Sequence, residues 1–316
     1  MGNQTFLNEF FLSGLSDLPP LQLPLFLFFL LIYLLTIIWN LLIIVLIVTD
    51  SHLHVPMYFF LGNLAGLDLC CSTVTVPRML FDLLTKRRNI TIAACKTQVF
   101  FFLLFTTSEA LLLTVMSYDR YTAICQPLHY TQIMCWKVCV QLMSIVWSLA
   151  FTNAVVHTLS ALNLSFCASD IIKSFFCDLP QLLQISCNDT YINIVLVFLL
   201  SSFLGGGSLI VMFMSYTYII KTVLKMQVKG KRGKVFSTCS SHLAVVFVFY
   251  FSISFNYFRP STNNHFAADK VVSVFYTVIS PLFNPLIYSL RNQEFKTATV
   301  SLFRKIFLPK DRILPS

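Results

Sequence analysis

The chain has 316 residues, of which 57% are hydrophobic and 11% charged, and it carries a formal net charge of +9 at pH 7. A water-soluble domain of this length needs far more polar surface, so the composition excludes one and indicates a membrane protein. The positive balance requires no nucleic-acid partner, because anionic inner-leaflet lipid accounts for a basic surface of this kind.

Nearly charge-free runs predict seven spans, at about 24–49, 56–79, 96–121, 138–161, 192–222, 234–258 and 270–290. Each reaches the ~20 residues a helix needs to cross ~30 Å of hydrocarbon, whereas a barrel would show short alternating segments. The expected fold class is an all-α membrane protein: one domain over 1–316, a seven-transmembrane helix bundle with a short amphipathic C-terminal helix. With residues 1–23 outside and the tail 291–316 inside, 14 basic residues fall on the inner side against 8 outside, as the positive-inside rule requires.

In chain order, Asn3 opens a glycosylation acceptor; the sequons at Asn89, Asn163 and Asn188 also fall outside, and Asn3 is the one expected to be used. The first apolar run, after Pro19 and Pro20, is too long for a signal-peptide core. Asn40 within it is a buried amide that must bond to neighbouring helices. Asp68 stands at the middle of the second span. In the third, Gln98 to Arg120 is 23 residues, about 35 Å, with Glu109 at its midpoint. An isolated charge at that depth costs at least ~2.5 kcal/mol. Two ionised carboxylates close together repel, so either one is protonated or a cation such as Na⁺ sits between Asp68 and Glu109.

Phe102, Thr106, Glu109, Leu113 and Arg120 recur at helical spacing and share one face, which must point into the bundle. Arg120, beside Asp119, closes that span at its inner mouth. No Asp or Glu occurs between residues 217 and 268, so the partners expected for Arg120 are Asp119, Tyr216, Thr238 or His242. Trp147 in the fourth span is a packing landmark. In the seventh, Pro285 lacks a donor and kinks the helix, Asn284 can bridge the freed carbonyls, and Tyr288 can swing toward Arg120. Residues 294–307 read as an amphipathic helix lying on the membrane. Cys95, Cys167, Cys177 and Cys187 face the oxidising side, and no cysteine or histidine spacing suits zinc.

Several long motifs then occur in order: LHVPMYFFLGNLAGLDL at 53–69, MSYDRYTAICQPLHY at 116–130, FCASDIIKSFFCDLPQLLQISCNDT at 166–190, KVFSTCSSHL at 234–243 and PLFNPLIYSLRN at 281–292. Together they resemble the odorant receptors of the rhodopsin-like G-protein-coupled receptor family. The resemblance implies a plasma-membrane receptor, not an enzyme, that binds a small volatile odorant and activates a heterotrimeric G protein of the stimulatory olfactory type, raising cyclic AMP. It implies one disulfide from Cys95 to Cys177 and another from Cys167 to Cys187, and it favours the cation between Asp68 and Glu109. It assigns Asp119, Arg120, Tyr216, His242, Asn284, Pro285 and Tyr288 to activation and coupling. Ser174 stands where the family often has His.

The ligand pocket is expected where the inward stripe of the third span, Phe102 and Thr106 with Leu103 and Thr107 beside them, faces Tyr250, Ser254 and Tyr257 of the sixth and Val274 and Thr277 of the seventh. Mostly apolar walls with a few hydroxyls suit a weakly polar volatile and disfavour a charged amine or acid. A transporter would show repeated half-sequences, and an intramembrane enzyme a nucleophile or ligand set beside its acid pair; the chain shows neither.

Overall fold

A computed structural model describes residues 8–16, 18–85, 87–166, 170–225, 229–257, 266–290 and 293–307. Asn3 and Cys167 lie outside the described residues, as do the side chains of Thr238, Tyr257 and Tyr288. Among those described, seven long helices build the bundle: α1 (Pro19–Thr49), α2 (Pro56–Thr85), α3 (Ile92–Cys125), α4 (Trp136–Leu162), α5 (Tyr191–Lys225), α6 (Lys229–Tyr257) and α7 (266–290). Six of them are long and apolar enough to cross a membrane by length and composition, and α6 carries the shorter apolar stretch His242–Phe255. A last helix, α8 (Gln293–Phe307), follows them.

Local chemistry sets the helix ends. Pro19 and Pro20 open α1, where a missing backbone N–H costs nothing. Thr91 caps α3 by accepting from the Ala94 N–H at 3.2 Å. The outward faces are apolar, as Ile194, Phe198, Phe203, Ile210 and Phe213 of α5 illustrate, and only lipid makes such a surface tolerable. In α8, Phe295 and Ala298 are buried against the bundle while Val300 is exposed.

α3 is the central post. Its Leu112, Leu113 and Met116 pack with Leu61 and Leu64 of α2, Met143 of α4 and Phe249 of α6. Higher up, Phe102 is enclosed by Phe176, with ring centroids 5.3 Å apart, and by Tyr276 at 5.8 Å. The Cys95–Cys177 disulfide joins the first turns of α3 to the α4–α5 loop. Gln98, one turn on, accepts from the Cys177 N–H at 2.9 Å and donates to the Val74 carbonyl at 2.8 Å, so one side chain stitches α2, α3 and that loop. Cys187 is also disulfide-bonded.

The same end carries a small sheet that the helical periodicity did not predict. Strands β1 (Glu9–Leu12), β2 (Asn89–Thr91) and β3 (Ile171–Ile172) lie in the order β2-β1-β3, antiparallel and then parallel, with Phe10 opposite Ile90 and Leu12 opposite Ile172. Arg88 fastens the chain beyond β1, donating to the carbonyls of Ser13 at 2.7 Å and Ser16 at 2.9 Å. Gly14 there has φ +65, and the atom where its Cβ would stand lies 3.1 Å from the Arg88 guanidinium carbon, so the clamp requires glycine. Strands this short carry no alternation long enough to read, because their partners are about 80 and 160 residues away.

Candidate functional site

Three features lie one above another in the bundle. At the Arg120 end, the Asp119 Oδ1 accepts a hydrogen bond from the Tyr130 hydroxyl at 2.8 Å. Tyr130 sits in the short helix Tyr130–Ile133 between α3 and α4, where burial and the Asp119 carboxylate push its hydroxyl well above the usual tyrosine value, so it remains a donor. Across the way, the Tyr216 hydroxyl of α5 meets His242 Nδ1 of α6 at 2.6 Å. Arg120 stands between these pairs, and its Nη2 is buried without a hydrogen-bond partner. Among the described residues Arg120 makes no ion pair, Asp119 included.

At mid-depth, α2, α3 and α7 converge on acid. The Asn284 amide donates to Asp68 Oδ1 at 2.9 Å and to Glu109 Oε1 at 3.0 Å, all three side chains being buried. Asp68 Oδ2 and Asn284 Oδ1 are buried with no partner. Pro285 follows Asn284, also buried. Nearby, Asn40 of α1 reaches the Pro281 carbonyl at 3.0 Å, just where the proline at 285 withdraws a donor from that turn.

Above the acids lies a cavity of about 320 Å³. Of the predicted ligand residues, Leu103, Thr106, Thr107, Tyr250 and Ser254 line it. Phe102, Val274 and Thr277 do not. Phe102 is spent on the aromatic stack under the α4–α5 loop, and the Thr277 hydroxyl is tied to the Ser273 carbonyl at 2.7 Å. Val274 lines a second cavity instead, between α1 and α7 beside Leu25, Phe29 and Lys270. Periodicity tells which residues point inward but not to which side of α3, and the plug of Phe175 and Phe176 closes the α7 side.

The sequence reading missed the α4 and α5 walls. Asn153 and His157 of α4 line the cavity, one helical turn apart, and Asn153 Nδ2 donates to Thr107 Oγ1 at 3.0 Å. Two polar side chains at i, i+4 within an apolar span were the available signal. Trp147, by contrast, packs edge-on against Phe105 and is partly exposed on the outer face. On α5 the residues Ser202–Gly206 form a π-turn, which sets Gly205 and Gly206 on the cavity wall with open space where each Cβ would be. The floor is Tyr250, whose hydroxyl donates to the Ala110 carbonyl of α3 at 3.3 Å.

Among known proteins, a family model described as "Olfactory receptor" matches residues 29–306. Human olfactory receptor 5B12 is 46% identical over 298 residues, covering 94% of this chain and 95% of that protein. The chicken olfactory receptor-like protein COR5 is 48% identical, covering 94% and 96%, and mouse olfactory receptor 8U9 is 45% identical, covering 99% of each. Among solved structures, squid rhodopsin superimposes with a TM-score of 0.70 at 20% identity, over 94% of this chain and 89% of that one, a likeness of fold.

Proposed function

Because the chain belongs to the olfactory receptor family, a multi-pass membrane receptor and not an enzyme, we propose that it binds a small volatile odorant in the α3–α6 cavity and activates a stimulatory olfactory-type G protein at its Arg120 end, raising cyclic AMP. The observation that carries this reading is the alignment of that cavity, floored by the α6 residue Tyr250, over an Arg120 with an unpartnered Nη2. A ligand that binds better when α6 has shifted draws the Tyr250 contact with Ala110 along, and the Tyr216–His242 bond between α5 and α6 breaks or re-forms with it. A cleft opened there presents Arg120 to the G protein. The basic residues Lys221, Lys225, Lys229, Lys231, Arg232 and Lys234 crowd the same end, which supports placing it on the cytoplasmic side and the N-terminus outside.

The mid-depth acids fit a monovalent cation. Asp68 Oδ2, Asn284 Oδ1 and the second Glu109 oxygen would hold Na⁺, and the unsatisfied Asp68 and Asn284 atoms are what a bound cation would satisfy. The ion would supply charge neutralisation for the carboxylate pair.

The test is second-messenger output from cells expressing the chain, challenged with an odorant panel. Dose-dependent cyclic AMP supports the reading; silence to every odorant at full surface expression overturns it. Glu109→Gln is expected to abolish the sodium dependence of the response, and unchanged sodium dependence removes the cation from the reading.

A further inference from the structure

The polar atoms on the α4 side of the cavity have no role in the activation pathway just described. His157 is 3% exposed, lines the cavity, and its Nδ1 is buried without a hydrogen-bond partner. A buried imidazole left unpaired is costly, and in a native structure such a group calls for a partner. One turn below, Asn153 has given its amide proton to Thr107, and a hydroxyl that has accepted a bond keeps its own proton to donate. The wall therefore presents the His157 imidazole, able to donate or accept, and the Thr107 hydroxyl of α3, held by Asn153 one turn from His157. The α5 wall is mostly hydrocarbon and bare backbone, from Val197, Leu204 and Leu209 to Gly206, with the hydroxyl residues Ser201 and Ser202 among them. Among the described residues the lining contains no Asp, Glu, Lys or Arg, so an ionised ligand would meet no counter-charge.

We propose that His157 is the hydrogen-bonding anchor of the cavity and that its ligand is a neutral, oxygen-bearing molecule, an alcohol, carbonyl compound or ester, whose oxygen meets the His157–Thr107 wall while its hydrocarbon lies against Val197, Leu204 and Leu209 of α5. This rests on the cavity being the ligand site. Discrimination follows from the asymmetry of polar recognition: a ligand lacking the oxygen leaves the imidazole buried and unpaired, which costs more than the bond itself contributes.

The test uses the purified full-length receptor in lipid nanodiscs, with thermal stability as the binding readout. The probes are octanol, octanal, hexyl acetate, phenylethanol and acetophenone, against octane and ethylbenzene as hydrocarbon matches and octanoate and octylammonium as charged ones. At least one oxygenated probe is expected to raise the melting temperature where its hydrocarbon and charged counterparts do not. His157→Phe should weaken that probe about tenfold, while His157→Gln, which still offers a donor and an acceptor, retains most of the affinity. The proposal is overturned if no oxygenated probe stabilises the receptor, if hydrocarbon or charged probes do so equally, or if His157→Phe leaves the profile unchanged, as it would were the imidazole satisfied by a buried water. Wild-type selectivity alone decides the ligand class should both variants fail to fold. Binding of oxygenated probes without any cyclic AMP response would sink the signalling role while leaving this site intact.

Discussion

At the Cys95 end, a disulfide, three strands and the Arg88 clamp join segments far apart in the sequence, whereas at the Arg120 end the polar ties between helices are single side-chain hydrogen bonds. The bridge spans a sequence separation of 82, so it removes a large loop entropy that no hydroxyl contact could replace. The Tyr216–His242 and Tyr130–Asp119 bonds each contribute on the order of 1 kcal/mol, small enough for a ligand to overcome. One end is tied covalently and by paired strands, while the other is joined by polar contacts weak enough to exchange. Lesions at the two ends should accordingly fail in different assays.

The largest effect is expected from Cys95→Ser. Losing a loop constraint worth roughly 4.5 kcal/mol should leave the receptor retained in the secretory pathway, read as loss of surface staining. Surface levels equal to wild type would remove the contrast between the ends. Arg120→Ala should do the reverse, abolishing cyclic AMP output at unchanged surface density, and a normal response from it would show that the guanidinium whose Nη2 lacks a partner is not the coupling group. Arg88→Ala removes two charge-assisted bonds, about 3 kcal/mol locally, and should speed amide exchange in residues 9–16 without altering the response. Smallest is Tyr216→Phe: loss of about 1 kcal/mol between α5 and α6 should shift basal cyclic AMP roughly fivefold at constant surface level. A change in trafficking instead of basal output would place that bond with the static end.

What could be read from the residues follows the same division. Spans and the inward face of α3 were legible because lipid imposes a strong and simple pattern, length and apolarity, on everything that crosses it. Asp68 and Glu109 stood out because a carboxylate at mid-depth is costly enough to demand a partner, and Asn284 is that partner. The sheet was illegible because β3 is two residues long and its partner β1 lies beyond the four long helices α1 to α4. Phe102 and Thr277 fall outside the α3–α6 cavity for a related reason. Which flank of α3 stays hollow depends on where Phe175 and Phe176 of a loop fold back, and no helical repeat encodes that. His157 and Asn153 were visible as intramembrane polar residues but share α4 with residues that face lipid, such as Phe151 and Leu159, so their inward direction emerges only from the bundle.

The π-turn of α5 has a consequence for chemical discrimination along a homologous series. Gly205 and Gly206 leave the cavity wall without side chains, and the space beyond each is open, so a single substitution there trades volume for contact without disturbing a neighbour. Each ligand methylene that still fits contributes ~0.8 kcal/mol, roughly fourfold in affinity, and the first that does not fit forfeits that gain and meets a clash. Gly206 to Ala and then to Val would therefore move the cutoff chain length downward in steps, like stops on a ruler.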